Sequence, residues 1–274
     1  MSNFLDWEAR VLTTPTERMF NLIEFLLEED GYTMYCASDN YLVMAPEDPD
    51  ILAECYVGLV SHVDTVSNTQ MVFKNIETKD TYNTCGHCCL DDRLGVLMIL
   101  RTIKNTKRNC IAIFLNGEES GCLGAIELAE EYTDFDDIFN PLDNNVQCLI
   151  EIDRHGHNEV VFYDLDYPDF ERAFITEYEK NISPAWTDIA VLAPMWNIAA
   201  ANVSAGYYKE HSQNEHMTFS DFILAENRLR CVLKKFENFP REARYKYRGK
   251  STTCCQLLMW YNYQPSEYET MGLS

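Results

Sequence analysis

Two histidines and a set of carboxylates in this 274-residue sequence stand at spacings that suit divalent-metal chemistry. In SHVDTV, His62 and Asp64 are two positions apart, so a strand carries both on one face. Asp64 can then accept from one ring nitrogen of His62 and leave the other nitrogen for a metal ion; the plain alternative is a surface pair. In CCLDDRLGV, Asp91 and Asp92 open a helical stretch. Helix capping explains one of them, and a carboxylate that bridges two cations is a natural use of the other. In FLNGEESG, Glu118 and Glu119 sit on a glycine-flanked turn. Adjacent carboxylates repel unless they share a cation or a proton. The conflict resolves if one binds metal and the other acts as general base toward an activated water; otherwise this is an exposed acidic turn. In CLIEIDRHGH, Glu151 and Asp153 alternate onto one face, and Asp153, nearer the strand's end, is the preferred ligand. His211 and His216 follow in GYYKEHSQNEHM.

These groups need a scaffold that makes them converge. Four short apolar runs, CYVGLV (55–60), CIAIFLN (110–116), CLIEI (148–152) and IAAANVS (198–204), read as buried strands of a sheet covered on both faces. Helical stretches lie between and after them: 94–104, 121–132, 169–180 and 218–239. A further helix begins at Pro15, with a Thr cap, and stops near Gly31; two extended segments, YTMYCAS and YLVMAP, follow it. The expected fold is α/β, a three-layer α/β/α sandwich with a mostly parallel, mixed central sheet. Each candidate group follows a strand, and open α/β sheets bind ligands at the carboxyl ends of their strands.

Composition narrows the class. Hydrophobic residues make up 46% of the chain, an ordinary globular value. No apolar run approaches the roughly 18–20 residues that cross a bilayer. The N-terminal MSNFLDWEAR has no basic-then-apolar signal, so the cytoplasm is the expected compartment. Eleven cysteines, an odd number in a large chain, read as reduced and mostly buried thiols. The net charge of −22 repels nucleic acid and anionic membrane, so neither is an expected partner. The same charge serves solubility, and near the site it could favour basic or zwitterionic substrates.

The order H-x-D, D-D-R-x-G, E-E, strand-terminal Asp and H-S-x-x-E resembles the co-catalytic di-zinc exopeptidases. That superfamily includes aminopeptidases, carboxypeptidases, dipeptidases and acyl-amino-acid deacylases on a phosphorylase/hydrolase-like fold. The likeness runs over most of the chain, from about residue 15 to about residue 238. It implies two Zn²⁺ ions, with Co²⁺ or Mn²⁺ as substitutes. His62 and Asp153 would hold one ion, His211 and Glu119 the other, and Asp91 would bridge them. Glu118 would be the general base for a metal-bridging water, and Asp64 would orient His62. A cis Asp91–Asp92 peptide is also implied. The implied activity is hydrolysis of a terminal peptide bond, by an aminopeptidase or small-peptide exopeptidase. The alternatives are a deacylase or carboxypeptidase acting on N-acyl amino acids, a cyclising acyl transferase of related fold, and an idle peptidase-like binding scaffold.

Some features depart from that pattern. His211 follows Asp153 by 58 positions, which leaves no room for the lid domain of many relatives and favours the compact branch. The expected organisation is one catalytic domain over residues 1–239, with 240–274 packed on it. That tail, basic and then aromatic, could instead be an edge strand, a homo-oligomer contact or a partner arm. CGHCC (85–89) could hold a third metal, joined by Cys254 and Cys255, or be buried reduced thiols. Tyr207, Tyr208, Met195 and Trp196 are candidates for the side-chain pocket, and Arg93 and Arg154 for contacts to substrate oxygens.

Overall fold

The structure, a computed structural model, describes residues 4–67, 72–75, 77–78, 80–84, 89–106, 109–133, 138, 146–162, 168–182 and 186–237. The expectations for residues 240–274 and for Cys85, His87, Cys88, Cys254 and Cys255 fall outside them.

The chain opens with α1 (Asp6–Thr13), a turn of 3₁₀ helix (Thr16–Arg18) and α2 (Met19–Glu28), then β1 (Tyr32–Ala37), β2 (Tyr41–Pro46) and α3 (Pro49–Leu52). Next come β3 (Val57–His62), β4 (Val72–Lys74), β5 (Thr81–Thr84), α4 (Arg93–Thr106), β6 (Ile111–Leu115) and α5 (Leu123–Glu131). The remainder runs through β7 (Cys148–Arg154), β8 (Glu159–Phe162), α6 (Pro168–Phe174), β9 (Glu179–Asn181), α7 (Asp188–Met195), β10 (Ala199–Ser204), β11 (Tyr207–Tyr208), β12 (His216–Thr218) and α8 (Phe219–Phe236).

Eight strands form the main sheet in the order β1-β2-β6-β3-β7-β10-β8-β9. Its centre, β6-β3-β7-β10, is parallel. Alternate residues of these strands feed opposite faces, as the two-residue period of a strand demands. Cys148, Ile150 and Ile152 of β7 join one apolar cluster with Val11, Leu97 and Leu229 of α1, α4 and α8. Leu149 joins the other with Leu128 and Leu192 of α5 and α7. Helices thus cover both faces, and the sandwich expected from the apolar runs is the observed fold.

Several elements differ from expectation. The helix expected over 169–180 ends at Phe174, whose carbonyl accepts the N–H groups of both Glu177 (2.8 Å) and Tyr178 (2.9 Å) in a closing turn, while Phe170 and Phe174 pack inward onto Phe162 and Phe236. The chain then pairs β9 with β8. Thr14 does not cap the second helix; it closes α1, and its N–H donates to the Arg10 carbonyl (2.8 Å). A second sheet, in the order β11-β12-β5-β4, was not foreseen. It lies at the carboxyl end of the main sheet, because β11 follows β10 after only Ala205 and Gly206.

Candidate metal centre

The site is built where β3, β6, β7 and β10 end. His62 closes β3 and is 1% exposed. Its Nδ1 lies 3.1 Å from the Asp64 carbonyl oxygen and 3.4 Å from Asp64 Oδ1. Its Nε2 faces Asp91 Oδ1 at 3.2 Å and Asp153 Oδ1 at 3.6 Å. Asp64 also reaches the next strand: its two oxygens accept the N–H groups of Glu118 and Glu119, each at 3.1 Å. One carboxylate therefore sets the ring of His62 and the turn after β6. Burial works to raise the Asp64 carboxyl, but His62 and the amides of Glu118 and Gly117 outweigh it, and the group lies below its usual value.

The two aspartates before α4 have divided their roles. Asp92 Oδ1 accepts the Gly95 N–H at 3.0 Å, a helix-capping bond, and its Oδ2 accepts Ser61 Oγ at 2.6 Å. A side chain at Gly95 would place its Cβ 2.1 Å from the Ile152 carbonyl, so the helix start packs on β7 only with glycine there. Asp91 is free for the site. Its Oδ1 faces His62, and its Oδ2 faces His211 Nε2 at 3.2 Å. The Asp91–Asp92 peptide is cis, as the resemblance implied.

His211 stands on the turn between β11 and β12, with Nε2 2.9 Å from Glu119 Oε1. Asp153 is held at both oxygens: Tyr207 Oη donates to Oδ1 at 2.9 Å, and Thr187 Oγ1 donates to Oδ2 at 3.0 Å. Asn202 of β10 accepts the Asp153 N–H at 3.1 Å and donates to its carbonyl at 3.0 Å. All seven residues singled out in the sequence, His62, Asp64, Asp91, Glu118, Glu119, Asp153 and His211, thus come together.

Among the described residues, three sets of potential ligand atoms lie within 4.8 Å of one another: Asp91, Glu119 and His211; His62, Glu118 and Glu119; and His62, Asp92 and Asp153. Asp92 is already engaged by Ser61 and Gly95, so Asp91 is the better ligand beside His62. Ligand atoms about 2.0–2.2 Å from a tetrahedral zinc stand roughly 3.3–3.6 Å apart. The contacts of 3.2 and 3.6 Å around His62, and of 2.9 and 3.2 Å around His211, are close to that spacing. The donor set also fits: imidazole nitrogens and carboxylate oxygens are zinc's usual ligands after thiolate.

The electrostatics point the same way. Burial pushes the Glu118 carboxyl up to about 9, and the charges of Asp153, Asp188 and Glu119 add to it. Burial likewise raises Glu119 and Asp153, with Asp91 as the next contributor to each. His211 is raised to about 9, chiefly by its bond to Asp91. Burial lowers His62, but Asp153, Asp64 and Asp91 carry it well above its usual value. Too many carboxylates face too few cations, a shortage that divalent metal ions would relieve.

Not every expectation fits the site. Trp196 precedes β10 and so lies at the wrong end of the sheet; it is 2% exposed, and its indole donates to the Tyr132 carbonyl. Met195 packs beside it against the same apolar cluster. Tyr208 is bound to Asp221 and His157, leaving Tyr207 as the residue of that group that reaches the ligands. Arg93 is buried and donates to Thr16, while Arg154 pairs with Glu159 at 3.0 Å. His216 stacks on Tyr208. Sequence reasoning missed Thr187 and Asp188. A Thr-Asp pair at the head of a helix reads as capping, yet Thr187 bonds Asp153, and Asp188 is fully buried near Glu118, where burial pushes it up to about 7.

No protein of curated function matches the chain in sequence. Solved structures do match in fold. Aminopeptidase PepT from Bacillus cereus is 12% identical, with a TM-score of 0.63 over 84% of this chain and 97% of that one. A tripeptidase from Staphylococcus aureus is 14% identical, with a TM-score of 0.60 over 85% and 97%. The TET1 peptidase of Pyrococcus horikoshii is 13% identical, with a TM-score of 0.58 over 82% and 98%. Peptidase family M28 matches over residues 40–202, a span holding every candidate ligand except His211. The chain therefore belongs to peptidase family M28, within the superfamily of co-catalytic metallo-exopeptidases.

Proposed function

We propose that this peptidase is a di-zinc aminopeptidase that removes residues from the free amino end of small peptides. The observation that carries the reading is the position of Asp91, whose two oxygens face His62 and His211 on opposite sides. His62 and Asp153 would hold one ion, Glu119 and His211 the second, and Asp91 both. Bound there, the ions would supply Lewis acidity to the scissile carbonyl and acidify the attacking water. A Glu118 carboxylate oxygen takes the proton from that water and hands it to the leaving nitrogen. Asp64 keeps His62 Nδ1 engaged, so that Nε2 alone faces the metal position.

The charge of the site supports a free amine over a free carboxylate at the reacting end. Arg93 is fully buried, with Nη2 donating to Thr16, and Arg154 is bonded to Glu159, so neither is placed as a carboxylate clamp. The crowded carboxylates favour a substrate that brings an ammonium group. A cytoplasmic homo-oligomer belongs to the same proposal; the TET1 peptidase, similar in fold, assembles into a tetrahedron or an octahedral shell, and light scattering tests this chain.

The deciding experiment pairs elemental analysis with a substrate panel. About two zinc per chain are expected, with turnover of amino-acid amides and unblocked dipeptides and none of N-acyl amino acids. Glu118→Gln should keep its metal and lose about 10²–10⁴-fold in kcat. Turnover confined to N-acyl substrates would replace this reading with a deacylase. Full metal loading without turnover of either class would make the chain a binding scaffold.

A further inference from the structure

Glu215 begins the turn into β12 and is fully buried, yet it is not among the candidate ligands. Its carboxylate accepts three backbone N–H groups in succession: Cys89 at 2.6 Å and Leu90 at 3.0 Å on Oε2, and Asp91 at 3.2 Å on Oε1. These residues precede α4 and belong to no helix or strand. The carbonyl of Glu215 accepts the Thr84 N–H at 3.3 Å, at the end of β5. Its own N–H donates to the Ser212 carbonyl at 3.1 Å, one residue beyond His211. A single residue thus joins the turn that carries His211 to the segment that carries Asp91.

We propose that Glu215 is a positioning residue that sets the distance between Asp91 and His211, and through it the affinity of the metal position these two share with Glu119. The inference rests on the metal reading above and adds to it a residue that touches neither metal nor substrate. A carboxylate suits the task because all its lone pairs accept. Glutamine in its place would turn an NH₂ group toward backbone N–H donors. Strain of this kind moves the Asp91 main chain, and with it the oxygen that faces His211 at 3.2 Å. The Asp153 and His62 ligands of the other position are held instead by Tyr207, Thr187 and Asp64.

The test is a zinc titration of full-length wild type, Glu215→Gln and Glu215→Asp, in competition with a chromophoric chelator. Glu226→Gln, a buried carboxylate of α8 bound to Arg101, is the control for a purely structural loss. Wild type should bind two zinc ions. Glu215→Gln should weaken the ion held by Glu119 and His211 by about 10–100-fold, the usual effect of removing a group that holds a metal ligand, and weaken the other much less, because of its protein ligands only Asp91 would shift. Glu215→Asp keeps the charge and should lose less; it also serves if the glutamine variant fails to fold. Glu226→Gln should lower the melting temperature and leave both affinities unchanged. Glu215 variants that lower the melting temperature but keep both affinities would overturn the proposal, as would equal weakening of both. A wild type that takes up no zinc would overturn the metal reading itself, and wild type alone reveals that outcome.

Discussion

Replacing Asp64 with asparagine is the sharpest probe of how the centre is held. The side chain keeps its shape but loses its charge and one acceptor. In the native site Oδ1 accepts the Glu118 N–H and Oδ2 the Glu119 N–H, and Oδ1 also lies 3.4 Å from His62 Nδ1. Asparagine in either orientation points its NH₂ group at one of those amides. One charge-assisted bond, worth about 1.5–3 kcal/mol, is lost, and a buried N–H is left without an acceptor at a further cost of about 1–3 kcal/mol. A net loss of about 3 kcal/mol corresponds to a fall of about 6–12 °C in melting temperature for a chain of this size. Metal affinity should fall about 10–100-fold, because His62 Nδ1 keeps the Asp64 carbonyl at 3.1 Å but loses the carboxylate charge at 3.4 Å, while the Glu119 turn shifts. Differential scanning calorimetry with and without zinc, and the same chelator competition, measure both quantities. If Asp64→Asn matches wild type in melting temperature and in both zinc affinities, Asp64 does not organise the site and the reasoning fails.

Other outcomes follow from the same structure. Gly95→Ala should destabilise the chain by about 3 kcal/mol or more, because its Cβ would meet the Ile152 carbonyl at 2.1 Å and Asp92 Oδ2 at 2.2 Å; chemical denaturation measures it. Arg154→Ala should leave zinc content and KM unchanged, since this side chain is spent on Glu159; a large rise in KM would restore it as a substrate contact. Removing metal with a chelator should lower the melting temperature, and excess zinc at a thousand times its Kd should return about 4 kcal/mol. Glu177 is held below its usual value chiefly by its hydrogen bond to Lys235. Its contribution is therefore present above the ordinary carboxylate range and disappears as pH falls through the lowered folded value. The pair is partly exposed, so Glu177→Gln should cost less than about 1 kcal/mol near neutral pH and match wild type in strong acid, as melting curves across pH will report.

Much of the fold was legible because its central strands are continuous, largely apolar runs buried on both faces. Each expected run overlaps an observed strand, and the carboxyl end of each carries a site residue. What escaped was short and polar. β5 and β12 contribute four and three residues and no apolar run, and they exist because each pairs with the other. The same limit left Glu215 as no more than the last letter of H-S-x-x-E, since its bonds run to amides more than 120 positions away. Nearness in sequence misled where the direction of a strand mattered. Trp196 and Tyr207 flank the same strand, yet only Tyr207, beyond its carboxyl end, meets the ligands.

The division of labour between Asp91 and Asp92 explains why two adjacent acids are needed, where capping alone would need one. Asp92 takes the helix-capping N–H and the Ser61 hydroxyl, and it is fully buried. That arrangement fixes the start of α4 against β3. Asp91 is thereby freed from any duty to the helix, and its two oxygens turn to histidines from different sheets, His62 of the main sheet and His211 of the small one. The bridging position is then a point at which two sheets meet. Metal bound there, as proposed, would link both sheets, and this coupling predicts that zinc protects the β11–β12 turn from proteolysis while leaving cleavage elsewhere unchanged. Equal protection along the whole chain would show that the metal acts on global stability alone.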